Sequence, residues 1–458
     1  MVAIFYIPML IGVILYEIFR KKVYFIDTLS IFNFFFCLFY LLTGIAISLF
    51  PDIYLADFPF ARPFIDGNVL LPIVIFTAYI LFVFFHNLVA TPKKFPSVTI
   101  PSKIVVSTQY EKNIVICLVI MLTFAFILLA IVIYSRGGLK NTIEMAGAIR
   151  GGYYEHADKG GFSYFNNIHP QIFRFCCFLS TLLLCLYSNN KVLKTVLFII
   201  TLIGATLSGI VIGGRSNTLY PVSFCILAFL FYKQKLKIIP AIVAFFIVIS
   251  VLYYGKSFYA ALSWRGGLEA FNLTEFTQRV NEQRGSKIHT LIGEFSPGYI
   301  CTGPAISNMS APEYDCFKSL LYAPTYAIPS SIININRPQP ITYLSTYKAM
   351  GETDYSITYP GIIGYGFLCL SWFGFFLVMA GWGSICGLLD KKMYESSPLC
   401  AMRDSVYLAF VSMLYYIFFG NPGGFVKQMF TLFVICLFFL VLKKRLFLKD
   451  NQIISLSQ

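Results

Sequence analysis

The sequence predicts an all-α, polytopic membrane protein, and three observations carry that prediction. Mean hydropathy is +0.74, and 58% of the 458 residues are hydrophobic against 12% charged. Apolar windows long enough to cross a bilayer recur along the whole chain. The lysines between those windows fall on alternate connections, as the positive-inside tendency requires.

The windows lie at residues 3–19, 29–50, 69–89, 113–134, 170–188, 192–212, 215–232, 236–254, 361–388, 403–420 and 424–442, about 11 transmembrane helices. The first has no basic segment before it and no small-residue cleavage site, and Arg20-Lys21-Lys22 follow it directly, so it reads as a retained helix. Basic clusters then sit at 93–112, 191–194, 233–237, 391–403 and 443–449. Placing these segments in the cytoplasm gives strict alternation, with the N-terminus outside and the C-terminus inside. With the cluster at 20–22 they hold 19 basic residues, only 3 of them Arg, whereas 9 of the other 16 are Arg. Lys suffices to set orientation, so the Arg surplus on the far side points to planar, bidentate recognition of phosphate.

The chain reads as one integral membrane domain, 1–458, with two sizeable outer loops: a smaller one at 135–169 and a large, partly helical one at 255–360. In the large loop, residues 275–292 show helical spacing, with Glu275 and Arg279 four apart. Residues 312–333 read as a short, Pro-punctuated interfacial helix marked by Tyr314, Tyr322 and Tyr326. No internal repeat is visible.

The net charge of +14 does not mark a nucleic-acid binder, because most basic residues flank apolar windows instead of striping a soluble face. Most of the 12 Cys lie inside apolar windows and read as small buried hydrophobes. Cys301 and Cys316 lie in the large loop and would pair only in an oxidising space. No CxxC and no His cluster signals a metal, and no cofactor is expected.

Three constellations carry candidate chemistry. Gly213-Gly214-Arg215 separates two spans, which sets Arg215 at the outer interface beside a backbone that a ligand can approach. The large loop holds Arg265, Arg279, Arg284, His289, Glu294 and Arg337; its 8 basic and 8 acidic residues balance, so placement and not bulk charge would do the binding. The smaller loop carries Arg136-Gly137-Gly138 and Arg150-Gly151-Gly152. Each also has a plainer reading, as snorkelling or solvated surface charge.

The many helices, the large loop before the last three, Gly213-Gly214-Arg215 opening a helix, Ile328-Pro329-Ser330-Ser331 leading to Arg337-Pro338, and Tyr359-Pro360-Gly361 with Gly364 opening a span resemble the Wzy-type O-antigen polymerases, which polymerise oligosaccharide repeat units. An Arg-x10-Gly spacing of some members occurs at Arg136/Gly147 and Arg150/Gly161, and no large-loop Arg has it. The resemblance implies a GT-C-like, metal-independent glycosyltransferase. It would join undecaprenyl-diphosphate-linked oligosaccharides on the periplasmic face of the bacterial inner membrane, with membrane lipid and a chain-length regulator protein as partners. Arg279 and Arg284 would stabilise the leaving diphosphate, Arg215, Arg265, Arg337 and Arg150 would bind it, and His289 or Glu294 would deprotonate the acceptor hydroxyl. Two other readings remain: an O-antigen ligase, and a flippase or transporter of the same lipid-linked sugar. The transporter would ordinarily show a repeat and charges at mid-membrane depth.

The topology is testable by labelling. In a Cys-free background, Ser286→Cys should react with an impermeant thiol reagent from outside and Ser107→Cys should not. The opposite pattern would invert the topology.

Overall fold

The computed structural model describes residues 3–22, 24–55, 59–65, 68–90, 106–143, 165–187, 190–212, 215–233, 293, 295–307, 314–328, 335–351, 360–395 and 400–446. Among them the regular structure is helical. The main helices are α1 (Ala3–Phe19), α2 (Thr28–Leu49, with a π turn at Cys37–Leu42), α3 (Leu70–Ala90), α4 (Thr108–Ser135), α5 (Phe165–Cys185), α6 (Lys191–Ile212) and α7 (Arg215–Lys233). They continue with α8 (Pro297–Ser307), α9 (Ile341–Met350), α10 (Gly361–Tyr394), α11 (Ala401–Met413) and α12 (Pro422–Leu446).

Six stretches among the described residues are long and apolar enough to cross a membrane: α2, α3, α4, the Ile168–Cys185 part of α5, α6 and α10. The chain is thus built as a multi-pass membrane protein. The expected span at 236–254 and the helical spacing at 275–292 lie outside the described residues. The window at 403–420 forms two pieces, because α11 ends at Met413 and a short helix follows at Tyr415–Phe418. The segment expected to form one interfacial helix at 312–333 shows two short pieces among its described residues, Lys318–Leu321 and a 3-10 turn at Ala323–Ala327. Left-handed backbone at Cys316 and Phe317 (φ 50° and 59°) stops any longer helix from starting earlier.

Local signals explain several ends. Asp27 caps α2 by accepting the Ser30 amide at 2.8 Å, and Ser107 caps α4 by accepting that of Tyr110 at 3.2 Å. α4 terminates where Gly137 and Gly138 take φ of 79° and 103°.

The chain forms two compact units. The first comprises Met1–Val98, Arg284–Ser397 and Met413–Lys427. Its helices approach at glycines. A Cβ on Gly383 would lie 2.5 Å from the Phe82 carbonyl oxygen, and one on Gly387 would lie 2.5 Å from that of His86, so this small-xxx-small pair lets α10 lie directly on the α3 backbone. Gly298, Gly361 and Gly420 meet at a second junction. A Cβ on Gly361 would stand 2.5 Å from the Tyr40 hydroxyl and 2.8 Å from the Gly298 carbonyl oxygen, and one on Gly420 would stand 2.5 Å from the Gly361 nitrogen. The Tyr40 hydroxyl accepts the Ile363 amide at 3.3 Å.

α10 is not one straight rod, as a single span at 361–388 had implied. Leu370 (φ −154°, ψ 40°) and Ser371 (φ 54°, ψ −139°) break it. Residues eight apart in a straight helix are separated by about 12 Å. Here a Cβ on Gly374 would lie 2.3 Å from the Gly366 carbonyl oxygen, so the two arms fold onto each other. The arm at 361–369 is buried throughout, as is nearly all of α8, which packs against it. The carbonyls exposed by the break are taken up, that of Leu368 by the Asp315 amide at 3.0 Å and that of Cys369 by the Cys316 amide at 3.1 Å. Burial pushes the Asp315 carboxyl up, and hydrogen bonds from Ser319 hold it back.

A buried polar network ties α1, α2, α3 and α10. Arg20 grips Asp27 through both nitrogens, at 2.7 and 2.5 Å, and the Tyr394 hydroxyl donates to Asp27 at 3.0 Å. Burial acts to raise the Asp27 carboxyl, but the Arg20 fork overcomes it and holds it down at about 2. Asp390 pairs with His86 Nε2 at 2.9 Å and accepts the Thr28 hydroxyl at 2.8 Å and amide at 3.2 Å. Both aspartates are fully buried.

Gly361→Ala should cost roughly 3 kcal/mol or more, because it combines a disfavoured left-handed backbone with overpacking. Gly381→Ala, also on α10, meets nothing within 4 Å and should be neutral or mildly stabilising. Thermal unfolding of the purified variants compares the two; equal behaviour would remove the junction from the account.

Candidate functional site

The second compact unit comprises Thr99–Gln283, Pro398–Ser412 and Gln428–Gln458. Its centre is α5, whose span is 83% buried and which packs against α4, α6 and α7. Gly204 of α6 makes room for the Phe126 and Phe173 rings, which a Cβ there would meet at 2.6 and 2.5 Å.

The two ends of this unit differ in chemistry. At the Lys-rich end, Lys194 donates to the Leu186 carbonyl at 3.1 Å and pairs with Glu111 at 3.2 Å. Lys233 donates to the Cys185 carbonyl at 3.1 Å. These lysines complete the last carbonyls of α5 while satisfying its dipole. The end predicted to face outward holds Arg136 instead. Its Nη1 donates to the Val211 carbonyl at 2.8 Å, and the side chain is buried. His169 at the start of α5 shares a 2.8 Å hydrogen bond between Nδ1 and the Ser208 hydroxyl, and its Nε2 has no partner among the described residues. Arg136 lies within electrostatic reach of that imidazole. Gln171 pairs with Gln428, and the Arg174 guanidinium lies over the Phe224 ring, 4.8 Å from its centroid.

Arg215 opens α7, as the Gly-Gly-Arg turn predicts, and its side chain lies outside the described set. Val211, which receives Arg136, is only four residues earlier. The structure therefore brings Arg136 to the C-terminal end of α6, four residues before Arg215 in sequence. Arg150, Arg265, Arg279, Arg284, His289 and Glu294 lie outside the described residues. Arg337 is described, in the first unit. Its Nη2 donates to the Ile328 carbonyl at 2.7 Å, and it lies within electrostatic reach of Lys427 near the start of α12. No disulfide joins Cys301 and Cys316. Among the described residues no group of three or more His, Cys, Asp or Glu is arranged to hold a metal ion.

His169, Gln171, Arg174 and Lys427 were passed over in the sequence because they sit within or beside windows that read as plain spans. The signal was present: an ionisable residue inside an apolar span is by default a functional candidate. Arg174 falls well inside the 170–188 window.

No protein-family model matches the chain, and neither a curated protein nor a solved structure matches it significantly. The described fold is that of a multi-pass helical membrane protein.

Proposed function

We propose that the protein is a membrane glycosyltransferase of the O-antigen polymerase type, metal-independent, with about 11 spans and its active site on the periplasmic face of the bacterial inner membrane. Its substrates are undecaprenyl-diphosphate-linked oligosaccharides as donor and acceptor. The observation that carries this reading is the meeting of Arg136 with the segment leading into Arg215. Arg136 donates to Val211, 75 residues further along the chain and at the end of α6.

The chemistry follows from charge. As the C1–O bond of the donor sugar breaks, the diphosphate leaving group gathers negative charge. Guanidinium groups stabilise that charge with paired, charge-assisted hydrogen bonds of about 1.5–3 kcal/mol each. In this mechanism arginines of the outer loops, those the resemblance singles out in the sequence, hold the diphosphate and act as the bond breaks. His289 or Glu294 takes the proton of the acceptor hydroxyl, which attacks C1. The near balance of charge in the large loop favours such specific placement over bulk attraction.

The test is polymerisation in lipid nanodiscs by purified protein given a lipid-diphosphate-linked repeat unit, with products separated as a ladder. Wild type should form the ladder. Arg215→Lys should fail about as badly as Arg215→Ala, because Lys keeps charge and loses the fork. Full activity of Arg215→Lys would reduce that residue to a snorkelling charge. Absence of any ladder from folded wild type would defeat the reading as a whole.

A further inference from the structure

The buried aspartates of the first unit have their donors, whereas two neighbouring buried side chains of α5 keep polar atoms without a hydrogen-bond partner among the described residues. Asp27 and Asp390 meet donors from Arg20, Ser30, Tyr394, His86 and Thr28. Arg174 of α5 is only 4% exposed, and its Nε and Nη1 have no hydrogen-bond partner among the described residues. The Phe224 ring covers one face of the guanidinium. Stacking satisfies no N–H, because the donors of a guanidinium lie in its plane. Gln171, three residues earlier and so on the neighbouring face of α5, is 2% exposed. Its amide nitrogen donates to Gln428, and its carbonyl oxygen is unpartnered.

An uncompensated cation at this depth is costly, and a partner that brings charge and acceptors removes the cost. We infer that Arg174 and Gln171, with Phe224 and Gln428 around them, form a binding site for a hydroxyl-bearing phosphate ester. The phosphate oxyanion accepts from Arg174 Nε and Nη1. A hydroxyl of the same ligand donates to the Gln171 carbonyl oxygen. A simple anion leaves Gln171 open, and a neutral polyol leaves Arg174 open, so the ester is the class that closes both. Arg174 lies six residues into the Ile168–Cys185 span, about 9 Å along the helix at 1.5 Å per residue. That depth favours a phosphate carried on a lipid over one arriving from water. The inference rests on the proposed function only in that a lipid-linked sugar diphosphate is one such ester; the site itself is tested by binding and not by turnover.

The experiment uses the full chain in phosphatidylcholine nanodiscs, with thermal unfolding as the readout. Phosphatidylglycerol is the lipid probe and glycerol 3-phosphate the soluble one. Phosphatidylglycerol should raise the unfolding temperature of wild type in a saturable way. Arg174→Gln should weaken its apparent affinity about tenfold or more, the loss expected for a charge-assisted contact. Arg62→Gln, at an exposed position, should leave that affinity unchanged and so excludes general attraction to anionic lipid. A response to the lipid alone supports entry from the membrane, and a response to both probes supports a site also open to water. Arg174→Lys keeps the charge and guards against a folding defect; it should bind more weakly than wild type. Folded Arg174→Gln and Arg174→Lys that both respond like wild type, or a wild type that responds to neither probe, would overturn the inference. Binding without polymerisation would leave this site standing and remove the proposed function.

Discussion

A backbone packed among apolar helices at membrane depth has no water to complete its hydrogen bonds, so every helix end and every close crossing must be resolved inside the protein. The first unit meets this constraint with glycine. At Gly298, Gly361 and Gly420 three backbones come too close for any side chain, and the Tyr40 hydroxyl takes an amide at the start of α10. That junction fixes α8 against the first arm of α10. The break at Leu370–Ser371 then turns the chain, and the carbonyls it frees are met by the amides of Asp315 and Cys316. Removing a glycine would displace the arm, and displacing the arm would orphan those carbonyls. The left-handed backbone at Ser371, Cys316 and Phe317 clusters at this same place, where strain is held by the surrounding contacts.

The same constraint separates structural from functional polar groups. Arg20, Asp27, His86, Asp390 and Tyr394 form a closed set, and their work is to clamp four helices. The groups along α5 form an open set. Arg174, Gln171 and His169 each keep a buried donor or acceptor with no hydrogen-bond partner among the described residues. Stability is ordinarily sacrificed in this way where a ligand completes the site. Of these groups His169, at the start of α5, lies within electrostatic reach of Arg136.

The helical class, the membrane-spanning stretches and the starts of α7 at Arg215 and α10 at Gly361 were legible in hydropathy and in Gly/Pro punctuation. The lysine clusters read as topology signals also turn out to cap α5, through Lys194 and Lys233. The break in α10 was not legible, because hydropathy runs smoothly through Leu370 and Ser371 while the break is a matter of two dihedral angles. α8 was hidden because its Gly298, Gly303 and Pro304 read as loop residues, whereas here the small residues serve close packing. Arg174 was overlooked because one charge barely alters the mean of an apolar window. The candidate site is legible in the sequence only as far as Arg136, Arg215 and Arg337; the other large-loop candidates, and Arg150, fall outside the described residues.

The central claim is that polar closure distinguishes the clamp from the site, and a paired stability measurement tests it most directly. In phosphatidylcholine nanodiscs free of anionic lipid, Arg174→Met removes an uncompensated buried charge and fills its volume with an apolar chain, so the unfolding temperature should rise by a few degrees. Asp390→Leu opens a closed network and leaves His86 Nε2 and the Thr28 amide without the carboxylate they meet, so the unfolding temperature should fall. A fall for both variants would mean that Arg174 is structural, and would contradict the account.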